Sequence, residues 1–299
     1  MNSDSGMLYS IVLKLVPTRE ATVRATVGHQ AHAAFLRTVR ESDPALAEVL
    51  HTPNMPARPF TVSPLLGVGR ARDGLVYLSP EQDYFLRFTV LYPPIFKQFM
   101  ARFLRGEGRP VIRLGRALLL IKEILATPGS HPWAGYSSWA QLAAEAQPAA
   151  EIALEFASPT AFGFGQKAWG KKIMLLPWPE TVFGSLARSW NNLAPPLLQV
   201  DRDTLKTYLG EHVVVKRIEH LRTQMLSFRR APQVGFVGEV TYGLMADDEA
   251  ARCQLNALAD FAFYSGVGMK TAMGMGQCRR MKRNEEMTNE ENNSTFAIA

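Results

Sequence analysis

Between Gly266 and Gly276 the chain reads Gly266-Val267-Gly268-Met269-Lys270-Thr271-Ala272-Met273-Gly274-Met275-Gly276, four glycines and one lysine in eleven residues. The segment follows an apolar helical pattern, Leu255 to Tyr264, and leads into a basic strand that ends Arg279, Arg280, Lys282, Arg283. Glycine lacks a Cβ, so its backbone turns through positive φ and comes close to a neighbour or a ligand. Such a loop offers bare backbone N–H groups to an anion, above all a phosphate. The alternative is a glycine C-cap followed by a bulged strand start. Two common phosphate-binding folds are excluded by spacing. A P-loop needs Gly, four residues, then Gly-Lys-Ser/Thr. A dinucleotide fingerprint runs from strand to helix, whereas this loop runs from helix to strand.

The 299 residues are 47% hydrophobic and 20% charged, a globular composition long enough for two ordinary domains. No apolar run reaches membrane-spanning length, and Met1-Asn2-Ser3-Asp4-Ser5 lacks a signal pattern, so a cytoplasmic protein is expected. Two cysteines, Cys253 and Cys278, cannot build a disulfide framework or a zinc site by themselves. Cys253 falls on an apolar helix and reads as core. Residues 284–299 hold Glu285, Glu286, Glu290 and Glu291 and no Lys or Arg. Without those four carboxylates the formal charge of +6 becomes +10. A basic body favours a polyanionic partner, and the polar tail reads as disordered.

Periodicity predicts a first strand over Met7 to Val16, with Tyr9, Ile11, Leu13 and Leu15 on one face. Ala31 to Arg40 reads as a helix. Asp43-Pro44 supplies an N-cap and first helical residue for a second short helix ending at Leu50 or His51. Strands are expected over Pro59 to Val68, Leu75 to Leu78 and Asp83 to Leu91. A helix follows over Pro94 to Leu104, then one long strand or a pair over Val111 to Ile124. The second half repeats the scheme: a strand Glu151 to Phe156, an amphipathic helix Pro179 to Leu193, and strands His212 to Leu226 and Val234 to Leu244. A helix capped by Asp247 or Asp248 runs to Tyr264, and a strand follows Gly274. The order β-α-β-β-α-β is ferredoxin-like, so the fold class is α+β with two tandem ferredoxin-like (RRM-like) domains, residues 7–127 and 151–283. The boundary falls in the Gly-, Pro-, Ser- and Ala-rich stretch Pro128 to Ala150, read as a linker.

Three motifs carry a resemblance. The first is Gly28-His29-Gln30-Ala31-His32-Ala33-Ala34-Phe35-Leu36, with Asp43-Pro44-x-Leu46-Ala47-x-x-Leu50-His51 and Arg58-Pro59-Phe60-Thr61-Val62-Ser63-Pro64-Leu65. The second is Ser158-Pro159-Thr160-Ala161-Phe162, then Pro177 and Val182-Phe183-Gly184-Ser185-Leu186-x-x-x-Trp190-Asn191. The third is Gly235-Phe236-Val237-Gly238-Glu239-Val240, with Phe263-Tyr264-Ser265-Gly266-Val267-Gly268-x-Lys270-Thr271-x-x-Gly274-Met275-Gly276. In this order they resemble the CRISPR-associated endoribonucleases that cut precursor CRISPR RNA within its repeats, the sixth Cas family within the RAMP superfamily. The resemblance implies a metal-independent cut with no cofactor. In it a ribose 2′-OH attacks the adjacent phosphate and leaves a 2′,3′-cyclic phosphate and a 5′-hydroxyl. Such chemistry needs a base, an acid and positive charge on the transition state, and only RNA has the 2′-OH.

By the resemblance His51 matches the family's catalytic histidine, and imidazole serves as acid or base near neutral pH. Arg58 falls where some members place a transition-state lysine; its guanidinium offers two donors to a phosphate. His32, four residues before Leu36, lies on the inward face of the first helix and is either a second acid/base or a buried structural histidine. His29 and His32 lack a carboxylate or cysteine at ligand spacing, so a metal site is rejected. Some members supply a tyrosine from the first helix as base. Here the sequence reads Phe35, Leu36, Arg37, which leaves the base to His32 or leaves His51 to act on one side alone. For RNA contact the candidates are Gly266, Gly268, Lys270, Gly274, Gly276, Arg188, Lys216, Arg217, Arg229 and Arg230. Arg222 and Lys167, Lys171 and Lys172 stand with them. Trp169 and Tyr264 are either stacking platforms or core. The partners implied are a precursor CRISPR RNA repeat and other Cas proteins of an effector complex, with no membrane. A non-catalytic RNA-binding RAMP subunit is the competing reading, and it would not need His51. A metabolic ferredoxin-like enzyme is a third, for which no cofactor motif is found.

Overall fold

The computed structural model describes residues 6–52, 55–104, 110–228 and 232–281. The predicted tail over 284–299 and the candidates Arg229 and Arg230 lie outside them. In the first half the strands and helices are β1 (Met7–Pro17), β2 (Ala21–Arg24), α1 (Gly28–Ser42), α2 (Pro44–His51), β3 (Phe60–Val62), β4 (Leu75–Leu78), β5 (Tyr84–Val90), α3 (Pro93–Leu104), β6 (Val111–Leu114), β7 (Ala117–Leu125), β8 (Gly135–Ser138) and α4 (Trp139–Ala144). The second half holds β9 (Glu151–Thr160), β10 (Phe162–Lys167), β11 (Gly170–Met174), α5 (Pro179–Leu193), α6 (Arg202–His212), β12 (Val213–Ser227), β13 (Pro232–Leu244), α7 (Glu249–Ser265) and β14 (Cys278–Arg280). Among the described residues no helix is long and apolar enough to cross a membrane.

The first sheet runs β3-β5-β1-β7-β6 and the second β12-β13-β9-β14. Within each β-α-β-β-α-β set the strands thus lie in the order second, third, first, fourth, the ferredoxin-like arrangement twice over. The first sheet carries α1 and α3 on one face and meets α7 of the second half on the other. Phe35 of α1 stacks on Phe60 at 4.5 Å and lies 5.2 Å from Phe88 and Phe99. In the second half Phe261 of α7 meets Trp139 and Trp190 at 5.0 and 5.2 Å.

The structure corrects three sequence expectations. The stretch expected as a linker, 128–150, contains β8 and α4. β8 pairs with the start of β1 (Met7 opposite Ser138), and Trp139 is buried in the second half's core. Of the two readings of 111–124, the strand pair forms, because Gly115 turns at φ +62. The strand expected over 59–68 is only three residues long, and β4 leaves the sheet to pair with β2 in a side ribbon. Finally, α6 and the β10–β11 ribbon are additions to the simple repeat. The α6 signal is present in the sequence: Asp201 accepts from the amides of Asp203 and Thr204, and Leu205, Tyr208 and Leu209 share the buried face. Cys253 is half-buried and Cys278 is the buried thiol, which desolvation pushes well above its usual range.

β1 is buried on both faces. Ile11, Leu13 and Leu15 join the first core, whereas Leu8 joins the second. Between the halves lies Arg87 of β5, fully buried with no carboxylate hydrogen-bonded to it among the described residues. Its Nε donates to Ser10 Oγ at 2.7 Å and to the Trp133 carbonyl at 3.1 Å. Nη1 donates to Gln277 Oε1 at 2.6 Å, and Nη2 to the Phe263 carbonyl. The guanidinium sits 4.9 Å from the Trp133 ring and 4.6 Å from that of Phe263. Burial lowers its pKa to about 9, so it stays charged at neutral pH. Arg87→Met removes the charge and takes their guanidinium donor from the Phe263 carbonyl and from Gln277 Oε1, whereas the Trp133 carbonyl keeps the Ser10 hydroxyl. The expected cost is about 3 kcal/mol, read as a lower urea midpoint. An unchanged midpoint would mean that the seam does not depend on the guanidinium.

A candidate active site where the two halves meet

The first helix begins on the glycine-rich loop. A Cβ at Gly28 would fall 1.8 Å from the Met273 carbonyl oxygen, so only glycine lets the α1 backbone lie there. The loop in turn buries Ala272 in the core of the first half, beside α1 and β3. Gly266, Gly268, Gly274 and Gly276 all have positive φ, and Lys270 is left-handed at φ +57. At Gly276 the requirement is double, because a Cβ would also lie 2.1 Å from the Val267 carbonyl oxygen.

One turn into α1, His32 Nδ1 lies 2.9 Å from the Ala272 carbonyl oxygen. A carbonyl only accepts, so Nδ1 carries the proton and Nε2 is left for another partner. The half-buried ring has its pKa lowered, first by desolvation and then by the nearby charges of Arg58, His51 and His29; the Ala272 bond opposes this. α2 is set by its start. Asp43 accepts from the Leu46 amide at 2.9 Å, Pro44 occupies the first turn, and Ala47 and Leu50 are buried. His51 is exposed on its last turn. Arg58 closes that end: Nη1 donates to the Leu50 carbonyl and Nη2 to the Thr52 carbonyl at 3.3 Å, one on each side of His51. A depression of about 540 Å³ beside His51 is lined by Arg40, Pro44, Glu48 and Thr52. The three predicted catalytic side chains therefore gather in one place.

The loop's amides differ from the expectation. Gly266 donates to the Ala262 carbonyl at 3.0 Å, Gly268 to Ser185 Oγ at 3.0 Å and Gly276 to the Pro159 carbonyl at 3.0 Å. These three N–H groups are not bare, because the helix cap and the neighbouring strand need them. What the loop presents is Lys270, whose Nζ lies 4.6 Å from the Phe228 ring centroid. Desolvation and then repulsion from Lys171 lower its pKa. Phe228 meets His29 edge-on at 5.4 Å.

The other basic candidates separate. Arg188 is exposed one turn beyond Ser185 on α5, the helix that holds Gly268. Lys216 pairs with Glu151 at 2.6 Å and Arg217 with Glu219 at 2.8 Å. Arg217 lines a groove of about 1850 Å³ over the second sheet, together with Glu145, Glu155, Glu239 and Asp260. Lys216 and Arg217 thus belong to an ion-paired face with an acidic lining. Tyr264 is core, whereas Trp169 is 73% exposed. Arg87 was missed by the sequence reading; as one apolar-flanked arginine in a strand it carries no distinguishing signal.

The close approach at Gly28 generates a prediction. Gly28→Ala should displace the loop or the helix start at a cost of about 1–3 kcal/mol, seen as a lower Tm. A wild-type Tm would show that the backbones separate freely there.

Comparison with known proteins agrees with this geometry. Residues 7–145 match the family model described as CRISPR Cas6 N-terminal domain, and residues 154–278 match that described as CRISPR-associated endoribonuclease Cas6. A curated relative, the CRISPR-associated endoribonuclease Cas6 of Streptococcus thermophilus, is 28% identical over 130 residues, 44% of this chain and 50% of its own length. The chain thus spans about half the length of the curated relative that it matches. A solved Cas6 product complex superposes with a TM-score of 0.78 at 28% identity, covering 93% of this chain and all of that one. A second Cas6 product complex gives 0.71 at 29%, covering 92% and 100%. Thermus thermophilus Cas6 gives 0.68 at 28%, covering 93% and 99%. With both family models matched in order over most of its length, and a backbone that follows these structures from end to end, the chain belongs to the Cas6 family of CRISPR-associated endoribonucleases.

Proposed function

We propose that the protein is an endoribonuclease that cuts precursor CRISPR RNA within its repeats, without a metal, and passes the product to other Cas proteins. The observation that carries this reading is the convergence of His32, His51 and Arg58 beside the glycine-rich loop, with the His32 tautomer fixed by the Ala272 carbonyl. Solved neighbours include two Cas6 product complexes and a Cas6 substrate mimic complex.

His32 Nε2 takes the proton of the ribose 2′-OH at the cut site. The 2′-oxygen bonds to the adjacent phosphorus as the P–O5′ bond breaks. His51, protonated, gives its proton to the departing 5′-oxygen, and the products are a 2′,3′-cyclic phosphate and a 5′-hydroxyl. Arg58 holds both carbonyls that flank His51, so it positions the acid as well as supplying charge to the phosphate. Lys270 adds a cation from the second half.

The test is cleavage of the cognate repeat in EDTA. His32→Ala and His51→Ala should each lower the single-turnover rate about 10²–10⁴-fold, and a 2′-deoxy at the cut site should abolish cutting. A substrate with sulfur in place of the 5′ bridging oxygen has a leaving group that needs no proton. It should restore cutting to His51→Ala and not to His32→Ala. The reverse pattern would exchange the two roles, and rescue of neither would remove His51 as the acid. Binding without cutting by the wild type would identify an RNA-binding subunit instead.

The pH dependence follows from the burial of His32. Its pKa is lowered, so the neutral base persists below the ordinary 6.5 and is lost only as pH falls further. The acid limb of the kcat/KM profile should therefore lie below pH 6.5 and vanish in His32→Ala. A limb above 6.5 would contradict His32 as the base.

A further inference from the structure

The β10–β11 ribbon pairs with neither main sheet, and its function is not explained by the chemistry above. Residues 162–174 contain Lys167, Lys171 and Lys172 and no acidic residue. Their side chains are exposed. Trp169 stands in the two-residue turn at the tip, 73% exposed, and Phe164 on the first strand is 44% exposed. Lys172 Nζ lies 5.7 Å from the Phe164 ring centroid. A tryptophan that exposed does not serve a core. Sequence-independent single-strand binders pair such rings with cations, because every base has a π-face and every nucleotide a phosphate.

The ribbon is also joined to the candidate active site. A Cβ on Gly163 would lie 3.2 Å from Lys171 Cε and 3.8 Å from Met269 Sδ of the glycine-rich loop. Next to Met269 comes Lys270, over Phe228, which edges onto His29 one turn before His32. Cations and aromatic rings thus alternate from the ribbon tip to the general base. The groove over the second sheet sets six carboxylates against Arg217, Arg279 and Arg280, so its lining is net acidic and suits a phosphate chain less well.

We infer that the β10–β11 ribbon is a second RNA site, which holds unpaired nucleotides of the repeat by stacking bases on Trp169 and Phe164 and pairing phosphates with Lys167, Lys171 and Lys172. This rests on the nuclease reading. The experiment measures Kd by fluorescence anisotropy with a repeat RNA made uncuttable by a 2′-deoxy at the cut site, against the same RNA stripped of its unpaired flanks. Trp169→Ala should weaken binding of the full repeat about 5- to 150-fold and leave binding of the stripped RNA unchanged. Trp169→Phe should keep most of the affinity and Trp169→Leu should not, which separates stacking from apolar contact. Lys167→Ala should lower the slope of log Kd against log salt by about one. The cleavage rate at saturating protein should match the wild type in all of them. Full-repeat affinity of Trp169→Ala within twofold of the wild type overturns the proposal and leaves the ribbon to a protein partner. A wild type that neither binds nor cuts the repeat overturns the nuclease reading and this one with it. That result is read in the wild type alone and cannot be confused with failure of the ribbon.

Discussion

The seam between the halves depends on a carbonyl oxygen occupying the space where residue 28 would carry a Cβ. Met273 O would stand 1.8 Å from that Cβ, so the backbone of α1 and the backbone of the glycine-rich loop touch directly. Backbone contact of this kind has no rotamers and transmits position without slack. From it follow the burial of Ala272 in the first core and the bond between the Ala272 carbonyl and His32. The glycines of the loop are therefore parts of a joint. Their amides satisfy Ala262, Ser185 and Pro159, which ties the loop to α7, α5 and β9 of the second half while its outer edge meets α1 of the first.

A second hold on the same seam is electrostatic. Burying a charge without a counter-ion is costly unless each of its nitrogens finds an acceptor. Arg87 meets that condition with Ser10, Gln277 and two carbonyls, flanked by the Trp133 and Phe263 rings. Its partners come from β1, from the stretch after β7, from α7 and from the residue just past the glycine-rich loop. One guanidinium thus senses the register of both halves. Gln277 relays the same register, donating to the Val62 carbonyl and receiving Arg87.

The fold was legible because its elements alternate with clear periods: α5 and the Asp43-capped α2 have the bounds that their caps and apolar spacing dictate. Insertions that repeat no period were harder to see. The β10–β11 ribbon is rich in glycine and lysine and, past Phe162, exposed, so no apolar alternation marks it. β8 is four residues long, and its strand character comes from pairing with β1. At the site, the histidines and Arg58 could be singled out by motif. What motif could not give is their inequality. His51 and His32 both look like catalytic histidines on paper, and only the distance to Ala272 and the exposure at the end of α2 tell them apart. Net charge misled in a similar way. Lys216 and Arg217 look like a phosphate-binding pair until Glu151 and Glu219 are found beside them.

That inequality has a chemical consequence. Two identical imidazoles in identical surroundings would titrate together, and neither the base nor the acid would be in its required form at one pH. The two surroundings differ here. His32 is half-buried with Nδ1 on a carbonyl, and desolvation lowers its pKa. His51 stands at the exposed helix end, between the carbonyls that Arg58 grips. The missing tyrosine at Phe35, Leu36 and Arg37 is then no deficit. In the mechanism proposed above, His32 takes that role one turn earlier on the same helix, on the side that faces the loop. The ring of Phe60, 5.4 Å from His32, supplies part of the apolar wall that lowers its pKa. A phenol at position 35 would displace the aromatic stack that positions that wall.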